Sequence, residues 1–461
     1  MCNLCVLIMA AGKGTRMRSA VPKVLQPVLD SPIIDYVIHT VKAAGVSPEN
    51  TAVLVGSGGE EVEAHVKKNF PKVKILWQHE QLGTGHAVKT AKEWWSGYDY
   101  LVVLNGDLPL MKSESLRKLL SSVDEDENDG TVMTFVTENP GSYGRIIRDF
   151  DDDSVSIVEY KDATSSQREI HEVNAGCYAF KVKSLLEVID EITNDNAQNE
   201  YYITDVLGLM NEKGMSTGAF VMPENEMQGV NTLSELAKVS RILRDEFLEI
   251  YMRNGVRILD PQTVYLGADV IISPGVTIMP NVQILGKSKV GAGSVIGSGS
   301  ILNNAVIGEN VNIIAYAVIE NSTLKDNSKA GPFCYIRDNT VLDENAFAGK
   351  FVELKNSHIG SNSKVPHLSY MGDATLGHDV NIGAGSITCN YDGVNKNKTR
   401  IGNNCFVGSD TMFVAPVEVE DGAATAAGSV ITQKVPANSL GVGRARQKNI
   451  ADWSTKHRKG E

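Results

Sequence analysis

The sequence has no excess of positive charge. Its 461 residues include 44 lysines and arginines against 56 aspartates and glutamates, which gives a formal net charge of −12. Proteins that bind nucleic acids or anionic membrane surfaces usually carry a basic face, so the composition argues against both kinds of partner. It is compatible with small anionic substrates, because a few local lysines, arginines and backbone N–H groups are enough to bind them.

Long apolar runs and cysteine pairs are also missing. No run reaches about 18 residues, the length of a transmembrane helix. Residues 1–9 have neither the basic start nor the long apolar stretch of a signal peptide. The chain has six cysteines, and although Cys2 and Cys5 have C-x-x-C spacing, no second pair lies nearby. We therefore expect free thiols and a cytoplasmic location.

The chain is too long for one core, because single hydrophobic cores stop growing at about 250–300 residues. As far as residue 230, short apolar strands alternate with helical stretches. This alternation predicts a doubly wound α/β domain with a mostly parallel sheet. The predicted strands include residues 6–9, 52–55, 100–104 and 131–136, and the predicted helices include residues 33–44 and 85–95.

A helical pattern over residues 232–253 follows this domain. Thr232 is its predicted N-cap, and Glu235, three residues later, completes a capping box. We interpret this helix as a connector. The domains are therefore placed at residues 1–230 and 254–461, with the linker helix at residues 231–253.

From residue 261 onward, apolar residues recur every six positions, with Gly, Asn, Ser and Asp between them. A sustained period of six is typical of hexapeptide repeats stacked in a parallel β-helix. The rhythm shifts near residues 284–289 and 303–306, and residues 388–400 interrupt it, where we expect a loop on a binding face. The predicted inward positions are Val264, Val270, Val276, Val282, Val290, Ile296, Leu302, Ile307, Ile313, Ile319, Ile401, Val407, Phe413, Val419, Thr425 and Ile431.

A glycine-rich turn follows the first predicted strand. Gly12 and Gly14 allow backbone N–H groups to approach phosphate oxygens closely. Lys13, Arg16 and Lys23 can neutralise the charge of a triphosphate. The turn therefore indicates a phosphate-binding site.

Two other phosphate-binding motifs fit less well. A Rossmann fingerprint would need a third glycine where Met17 stands. The Gly-Lys-Ser sequence at residues 286–288 has Asn281 where a Walker A motif needs glycine, and it lies inside the repeats.

The turn, G-x-G-T-R-M followed by P-K, resembles the signature of sugar-nucleotide pyrophosphorylases. Further segments occur in the order that this family has them, and with the repeats the resemblance covers nearly the whole chain. The chain resembles the bacterial bifunctional enzymes that combine N-acetylglucosamine-1-phosphate uridylyltransferase with glucosamine-1-phosphate N-acetyltransferase. The further segments are Gln78 with residues 81–84, then residues 105–107, 143–145, 157–159, 174–176 and 229–231.

The resemblance implies an architecture and a set of ligands. The β-helix would be left-handed, and the protein would be a homotrimer with acetyl-CoA bound between subunits. Mg²⁺ would be the cofactor. The substrates would be UTP, N-acetylglucosamine 1-phosphate, glucosamine 1-phosphate and acetyl-CoA.

For the first domain, the resemblance implies a site for UTP and UDP-N-acetylglucosamine. Arg16 and Lys23 would hold the leaving pyrophosphate, and Asp107 and Asn231 would bind Mg²⁺. Ala10, Ala11 and Gly12 would hold the uracil and ribose-phosphate end, Gln78 and Thr84 would read the uracil edge, Gly144, Glu159 and Asn174 would contact the sugar, and Met9, Gly83, Asn105 and Gly106 would complete the set.

For the second domain, the resemblance implies that His367 is the catalytic base. An amine that attacks a thioester must lose a proton, and an imidazole suits that step. The residues implied to hold glucosamine 1-phosphate are Arg337, Lys355, Tyr370 and Asn381. Those implied to contact acetyl-CoA are Ala384, Asn390, Tyr391, Ser409, Ala427 and Arg444, of which Ser409 could also stabilise the developing oxyanion.

Two residues depart from the family pattern. Asp338 follows Arg337 where proline is common, and Pro366 precedes His367 where a small or polar residue is usual. Because proline lacks an N–H and restricts its neighbour, we expect Pro366 to affect the rate of acetyl transfer more than the role of His367. Outside these sites, Tyr143 and His86 are interpreted as structural.

Other functions remain open at this point. The β-helix could serve only assembly or regulation in a single-function uridylyl- or guanylyltransferase, although His367, Asn381 and Tyr391 would then have no reason to occur together. A non-enzymatic binding subunit is another possibility, against which Lys23, Asp107 and Asn231 argue. A metal site formed by His358, His367 and His378 lacks carboxylate or thiol ligands at supporting spacings.

Overall fold

The fold is that of a computed structural model, which describes residues 3–12, 14–56, 58–124, 128–149 and 154–457. The chain divides into two compact units, Met1–Leu243 and Arg244–Glu461. We propose that the functional domains end and begin at the predicted boundaries, residues 230 and 254, on either side of the linker helix.

A mixed sheet organises the first unit. Its main path runs β11–β7–β10–β6–β1–β4–β5, and β8 and β9 form a hairpin attached to β10. All strands of the main path are parallel except β10, which is antiparallel to β6 and β7. The strands are β1 (Leu4–Ala10), β2 (Pro27–Val28), β3 (Ser31–Pro32), β4 (Thr51–Val55), β5 (Lys74–Trp77), β6 (Tyr100–Asn105), β7 (Gly130–Val136), β8 (Arg145–Arg148), β9 (Val155–Val158), β10 (Glu172–Lys181) and β11 (Thr217–Val221).

Helices cover both faces of this sheet, because its central strands are apolar on both sides. One core packs α1, α2 and α5 against the sheet, and a second packs α3, α4, α7 and α8. The doubly wound, mostly parallel arrangement predicted from the sequence is confirmed. The helices are α1 (Ile33–Ala43), α2 (Glu60–Asn69), α3 (Thr84–Thr90), α4 (Lys92–Trp95), α5 (Ser113–Asp124), α6 (Ser165–Arg168), α7 (Val182–Val188), α8 (Asp205–Glu212), α9 (Leu233–Arg253) and α10 (Trp453–His457), with 3₁₀ turns at Thr15–Met17, Lys23–Leu25, Pro48–Asn50 and Glu224–Met227.

The second unit is a stack of parallel strands in three sheets, as in a left-handed β-helix. The first sheet contains β12 (Arg257–Ile258), β15 (Thr277–Ile278), β18 (Val295–Ile296), β21 (Asn312–Ile313), β24 (Lys329–Ala330), β27 (Phe347–Lys350), β30 (Lys364–His367), β33 (Asn381–Ile382), β36 (Phe406–Val407), β39 (Ala424–Thr425) and β41 (Leu440–Gly441). The second contains β13 (Tyr265–Leu266), β16 (Gln283–Leu285), β19 (Ile301–Asn303), β22 (Val318–Glu320), β25 (Tyr335–Arg337), β28 (Glu353–Lys355), β31 (Tyr370–Gly372), β34 (Ile387–Cys389), β37 (Met412–Val414) and β40 (Val430–Ile431). The third contains β14 (Ile271–Ile272), β17 (Lys289–Val290), β20 (Val306–Ile307), β23 (Thr323–Leu324), β26 (Val341–Leu342), β29 (His358–Ile359), β32 (Ala374–Leu376), β35 (Thr399–Ile401) and β38 (Val417–Val419).

The apolar residues of the six-residue repeat are buried along the axis of this stack, as predicted. The predicted shift at residues 284–289 is wrong. The buried series of Ile278, Ile284, Val290 and Ile296 continues through that region in steps of six, and the residues from Val264 to Val282 occupy a second inward position. Serines take over that second position farther along the stack, beginning with Ser288, which is fully buried.

The long helix α9 begins as predicted and ends against the β-helix core. At its start, the Glu235 N–H donates to the Thr232 hydroxyl at 3.2 Å, and the Thr232 N–H donates to a Glu235 carboxylate oxygen at 2.9 Å. Near its end, Leu248 belongs to the β-helix core, and Tyr251 donates its hydroxyl hydrogen bond to the Val270 carbonyl. The end of α9 therefore covers apolar surface that an open stack of repeats would expose.

Within the described ranges, the cysteines are unpaired: Cys5, Cys177, Cys334 and Cys405 are buried, and Cys389 is exposed. Cys2 lies outside those ranges. No helix in the same ranges is long and apolar enough to cross a bilayer.

The covering role of α9 predicts a difference between two neighbouring aliphatic residues. Leu248 is 1% exposed, whereas Ile250 is 54% exposed. We expect Leu248→Ala to lower the free energy of unfolding by about 2–5 kcal/mol, because it opens a cavity. The control Ile250→Ala should change it by about 0.5 kcal/mol or less. Urea titrations of the full chain measure both, and equal effects would contradict the covering role.

Candidate functional sites

A cavity of about 430 Å³ opens where β1, β5 and β6 end in the first unit. In a parallel sheet these carboxyl ends meet at one edge, which is where such folds bind ligands. The structure thus brings together most of the predicted nucleotide residues. The lining residues are Met9, Ala10, Ala11, Gly12, Lys23, Val24, Gln78, Gln81, Gly83, Thr84, Ala87, Asn105, Asp107 and Glu200.

The loop after β5 forms one wall of this cavity. The Gln81 amide donates to the Ala11 carbonyl at 2.6 Å, which ties this loop to the end of β1. Gly83 has a φ of +110°, and a Cβ there would lie 2.5 Å from the Tyr201 carbonyl oxygen, so glycine is required. The Thr84 hydroxyl accepts a hydrogen bond from the Ile203 N–H at 3.1 Å and is therefore already used inside the protein.

Four polar side chains converge beside the cavity. The Lys23 ammonium lies 2.5 Å from an Asp107 carboxylate oxygen and 3.3 Å from the Asn231 amide oxygen. Arg16 donates to the same Asn231 oxygen at 2.9 Å. The structure therefore joins the two predicted pyrophosphate residues to the two predicted metal ligands. Lys13 lies outside the described residues.

The capping box of α9 places Asn231. The Glu235 carboxylate accepts hydrogen bonds from the N–H groups of both Thr232 and Asn231, the latter at 2.7 Å. Thr232, not Asn231, supplies the capping side chain, so the Asn231 amide is left for Arg16 and Lys23. Asp107 is fixed from the same segment, because its carbonyl accepts from the Val230 N–H at 3.1 Å.

The donor set fits a hard divalent cation. Asp107 and Asn231 present a carboxylate and an amide oxygen to one point, now shared by the Lys23 ammonium. Mg²⁺ is commonly held by one or two such oxygens together with substrate phosphates. Among the described residues, no cluster of three or more His, Cys, Asp or Glu side chains offers an all-protein metal site.

The predicted sugar residues also lie together. The Asn174 N–H donates to the Gly144 carbonyl at 2.9 Å, and a Cβ on Gly144 would lie 3.5 Å from the Glu159 carboxyl group. Burial raises the pKa of Glu159. The Asn174 side chain bonds within the protein, donating to the Tyr178 hydroxyl and accepting from the Gly176 N–H, both at 2.7 Å.

In the β-helix, a basic cluster forms where successive coils carry basic side chains at the same position of adjacent strands. Arg337 and Lys355 are direct partners on β25 and β28. Glu353 accepts from the Arg337 guanidinium at 2.8 and 3.0 Å, and Asp338 accepts at 2.7 Å. Tyr370 lies on the next strand, paired with Glu353. Three of the four residues predicted to hold glucosamine 1-phosphate therefore share one sheet.

Sequence reasoning missed Lys396 and Asp373 in this cluster. The Lys396 ammonium beside Lys355 lowers the pKa of Lys355. Asp373 accepts from Asn390 and Asn356, each at 2.6 Å, which places the predicted acetyl-CoA residue Asn390 here. The basic run within residues 388–400 was a signal for Lys396, whereas no spacing pointed to Asp373. In the first unit, Glu200 was missed in the same way.

A second set of predicted residues stacks in a column at one corner of the coils. His367 pairs with Lys350 at the end of β30. Ala384 and Ser409 occupy the corresponding places on the following coils, because their carbonyls accept from the Asp410 and Gly428 N–H groups at 2.7 and 2.8 Å. A Cβ on Gly408 would lie 2.5 Å from the backbone nitrogen of Ala427, which continues the column.

Three predicted residues stand apart from these groups. Asn381 lies on β33, in the sheet of His367 and not in that of Tyr370. Tyr391 is 61% exposed and donates to the Gly393 carbonyl. Arg444 is exposed beyond β41. The residues predicted to contact acetyl-CoA are therefore not all brought together in one group.

The two departures from the family pattern are accommodated locally. Asp338 has a φ of +55°, which proline cannot adopt. Pro366 lies within β30, and a Cβ on the facing Gly349 would lie 2.0 Å from the Pro366 carbonyl oxygen. The adjoining pair of His367 and Lys350 is retained, so Pro366 does not detach His367 from the stack.

Comparisons with known proteins agree with both units. A nucleotidyl transferase model matches residues 5–246, the GMPPB C-terminal domain matches residues 266–365, and the hexapeptide repeat of succinyl-transferase matches residues 398–433. The bifunctional protein GlmU of Clostridium acetobutylicum is 41% identical over 454 residues, covering 98% of both chains. The chain belongs to the bifunctional GlmU family. GlmU of Fervidobacterium nodosum is 43% identical over 453 residues, covering 98% of this chain and 97% of that one.

Membership of the GlmU family makes the chain a bifunctional transferase, with a nucleotidyltransferase domain followed by a hexapeptide acyltransferase domain. A solved structure of UDP-glucose pyrophosphorylase complexed with UDP-glucose aligns with a TM-score of 0.44 at 20% identity, covering 53% of this chain and 100% of that one.

The position of Lys23 predicts competition with a metal ion. We expect Lys23→Met to lower the dissociation constant for Mn²⁺ by about tenfold without nucleotide, because a like charge this close opposes binding by about 1–4 kcal/mol. Electron paramagnetic resonance of free Mn²⁺ measures this. The control Lys42→Met, at an exposed position on α1, should leave the constant unchanged. Unchanged or weaker Mn²⁺ binding by Lys23→Met would refute the competition.

Proposed function

We propose that the chain makes UDP-N-acetylglucosamine in two reactions. It first transfers the acetyl group of acetyl-CoA to glucosamine 1-phosphate. It then transfers UMP from UTP to N-acetylglucosamine 1-phosphate and releases pyrophosphate. The observation that carries the proposal is the convergence of Lys23, Asp107, Asn231 and Arg16 beside the cavity, in a chain that GlmU relatives match over nearly its whole length.

The uridylyl step needs charge neutralisation more than proton transfer. The sugar phosphate is already anionic, so its oxygen can attack the α-phosphorus of UTP without a general base, and the pyrophosphate leaves in line. Arg16 and Lys23 would bind the phosphates. Asp107 and Asn231 would hold Mg²⁺, which when bound supplies further charge neutralisation and alignment. Gly144, Glu159 and Asn174 would hold the sugar.

The acetyl step needs a base and a bound phosphate. His367 would accept a proton from the glucosamine amine as the nitrogen attacks the thioester carbonyl. The carbon–sulfur bond would then break, and the protonated imidazole would return the proton to the sulfur, so that CoA leaves as the thiol. Arg337, Lys355 and Tyr370 would bind the phosphate, and Lys396 is placed to join them. Ala384, Ser409 and Ala427 have small side chains, so the corner that continues from His367 has room for an extended ligand such as acetyl-CoA.

Two single-residue variants should separate the reactions. Asp107→Ala should lower uridylyl transfer by about 10²–10³-fold, the usual loss of one key electrostatic group, and leave acetyl transfer intact. His367→Ala should lower acetyl transfer by about 10²–10⁴-fold and leave uridylyl transfer intact. Pyrophosphate and CoA release measure the two rates.

The same assays decide among the alternatives. Wild-type protein that releases pyrophosphate but never CoA would make the β-helix a scaffold. Protein that turns over neither substrate set, with Mg²⁺ present, would favour a binding subunit. Full uridylyl transfer by Asp107→Ala would refute the metal assignment.

We further propose a homotrimer that completes the acetyl-CoA site between subunits. Most corner residues with positive φ in the β-helix are Asn, Asp or Gly, which tolerate that conformation. One corner instead has Tyr316, Phe333, Phe351 and Leu368 on successive coils, each at least half exposed. The three rings stack with centroids 5.2 and 5.5 Å apart. This aromatic column leads directly to His367.

Cover by a second copy would explain why this exposed column is tolerated. A bulky residue at positive φ costs roughly 1–2 kcal/mol, and a contiguous apolar strip on the surface often marks an interface. The column is also continuous with the proposed acetyl-CoA site. A neighbouring subunit packed along it would complete that site.

Asparagine in this column should separate folding from assembly. We expect the double variant Phe333→Asn and Phe351→Asn to fold, because asparagine tolerates positive φ, but to dissociate and lose acetyl transfer while keeping uridylyl transfer. Light scattering measures the mass. The control Ile271→Thr, at another exposed apolar position, should stay trimeric. A monomeric wild type that acetylates would contradict the shared site.

A further inference from the structure

Gln78 is a buried polar side chain in the wall of the nucleotide cavity. The residue is 3% exposed, and its backbone N–H donates to the Val55 carbonyl at 2.8 Å, so the sheet fixes the backbone that carries this side chain. A primary amide has two chemically different ends, because its nitrogen donates two hydrogen bonds and its oxygen only accepts. Which end faces the cavity therefore determines which ligand edge is accepted.

Both donors of the Gln78 amide are used inside the protein. Its Nε2 donates to the Gly83 carbonyl at 3.2 Å, and since a carbonyl can only accept, this contact identifies the nitrogen end. The same Nε2 lies 3.1 Å from the Nδ1 atom of His86. Among the described residues, none donates to the Gln78 Oε1 atom. The oxygen is thus the end of the amide that remains for a ligand.

The His86 ring is itself held in place. It lies on α3 and packs against the Tyr201 ring, with centroids 6.3 Å apart at an angle of 38°. Thr90, one turn later, donates its hydroxyl hydrogen bond to the His86 carbonyl at 2.8 Å. To accept from Gln78, Nδ1 must be unprotonated, so the ring hydrogen of the neutral imidazole is on Nε2.

We infer that His86 is a positioning residue that fixes the Gln78 amide with its oxygen toward the nucleobase and thereby sets the preference for uracil over cytosine. The inference rests on the proposed uridylyltransferase activity. Uracil carries an N–H at N3, which donates to an acceptor, whereas cytosine has a bare nitrogen there. An oxygen fixed in the cavity therefore bonds to uracil and repels cytosine.

Gly83 alone holds the amide less firmly. Without an acceptor at residue 86, one Gln78 N–H has no protein partner, and only the Gly83 carbonyl, which would face the oxygen of a reversed amide, opposes reversal. A reversed amide would offer its N–H to cytosine. A site built to hydrogen-bond a ligand N–H strongly rejects a ligand that lacks it, because a buried polar group of the site is then left unpaired.

Two substitutions of His86 test the role of its acceptor. His86→Phe keeps an aromatic ring against Tyr201 and removes Nδ1, so we expect the ratio of kcat/KM for UTP to that for CTP to fall at least tenfold. His86→Asn places an amide oxygen near the position of Nδ1, so most of the ratio should return. If the role of His86 is purely structural, its loss would lower kcat/KM for UTP and for CTP alike and leave their ratio unchanged.

Thr90→Val is the matched control, because it removes a hydrogen bond to His86 on the same helix without touching Gln78. It should keep the wild-type ratio. If His86→Phe does not fold, as judged by loss of acetyl transfer and of the thermal transition, His86→Ala replaces it with the same expectation.

The outcomes separate the inference from the proposed function. Wild-type protein that does not use UTP would remove the proposed function itself. Wild-type protein that strongly prefers UTP, together with a His86→Phe variant that keeps this preference, would overturn the role of His86 alone. A reduced preference in His86→Phe that returns in His86→Asn would establish it.

Discussion

Parallel backbone hydrogen bonding is the constraint on which both candidate sites depend. In the first unit it aligns β1 with β4 and β6, so that the loops carrying Gly12 and Asp107 leave the sheet at one edge. In the second unit it repeats the same corner on successive coils, so that His367 is followed by Ala384 and Ser409. Residues far apart in sequence thus meet without any side chain having to bring them together.

Local charge pairing explains how an acidic protein can hold anionic substrates. One cation in each site is already paired with neighbouring carboxylates: Lys23 with Asp107, and Arg337 with Glu353 and Asp338. A bound phosphate would replace the carboxylates as partner of these cations, and a bound metal ion would replace Lys23 as partner of Asp107. The net charge of −12 therefore says little about either site, because the deciding contacts are local and short.

Sequence patterns predicted what depends on short-range periodicity. The apolar runs gave the central strands, and Thr232 with Glu235 located the start of α9 within one residue. The helical pattern predicted at residues 85–95 corresponds to two helices, α3 and α4, which meet at Ala91. The prediction missed the break because the apolar residues continue along one face across it. The shift assigned to residues 284–289 was wrong because each six-residue repeat has two inward positions, and the prediction treated them as one. Lys396 was missed because its neighbour Lys355 is reached only through the stacking of coils.

The places where local rules are broken coincide with the sites. Three bulky aromatic residues and a leucine adopt positive φ at one corner, where the other corners use asparagine and aspartate. Such exceptions are unfavourable for the isolated chain, and they persist when an interaction outside the local segment compensates for them. The buried Gln78 amide belongs to the same class, since an apolar side chain would fill its place at less cost in desolvation. Its two donors are satisfied and its acceptor is not, which is the state expected of a group that completes its hydrogen bonds only with a ligand.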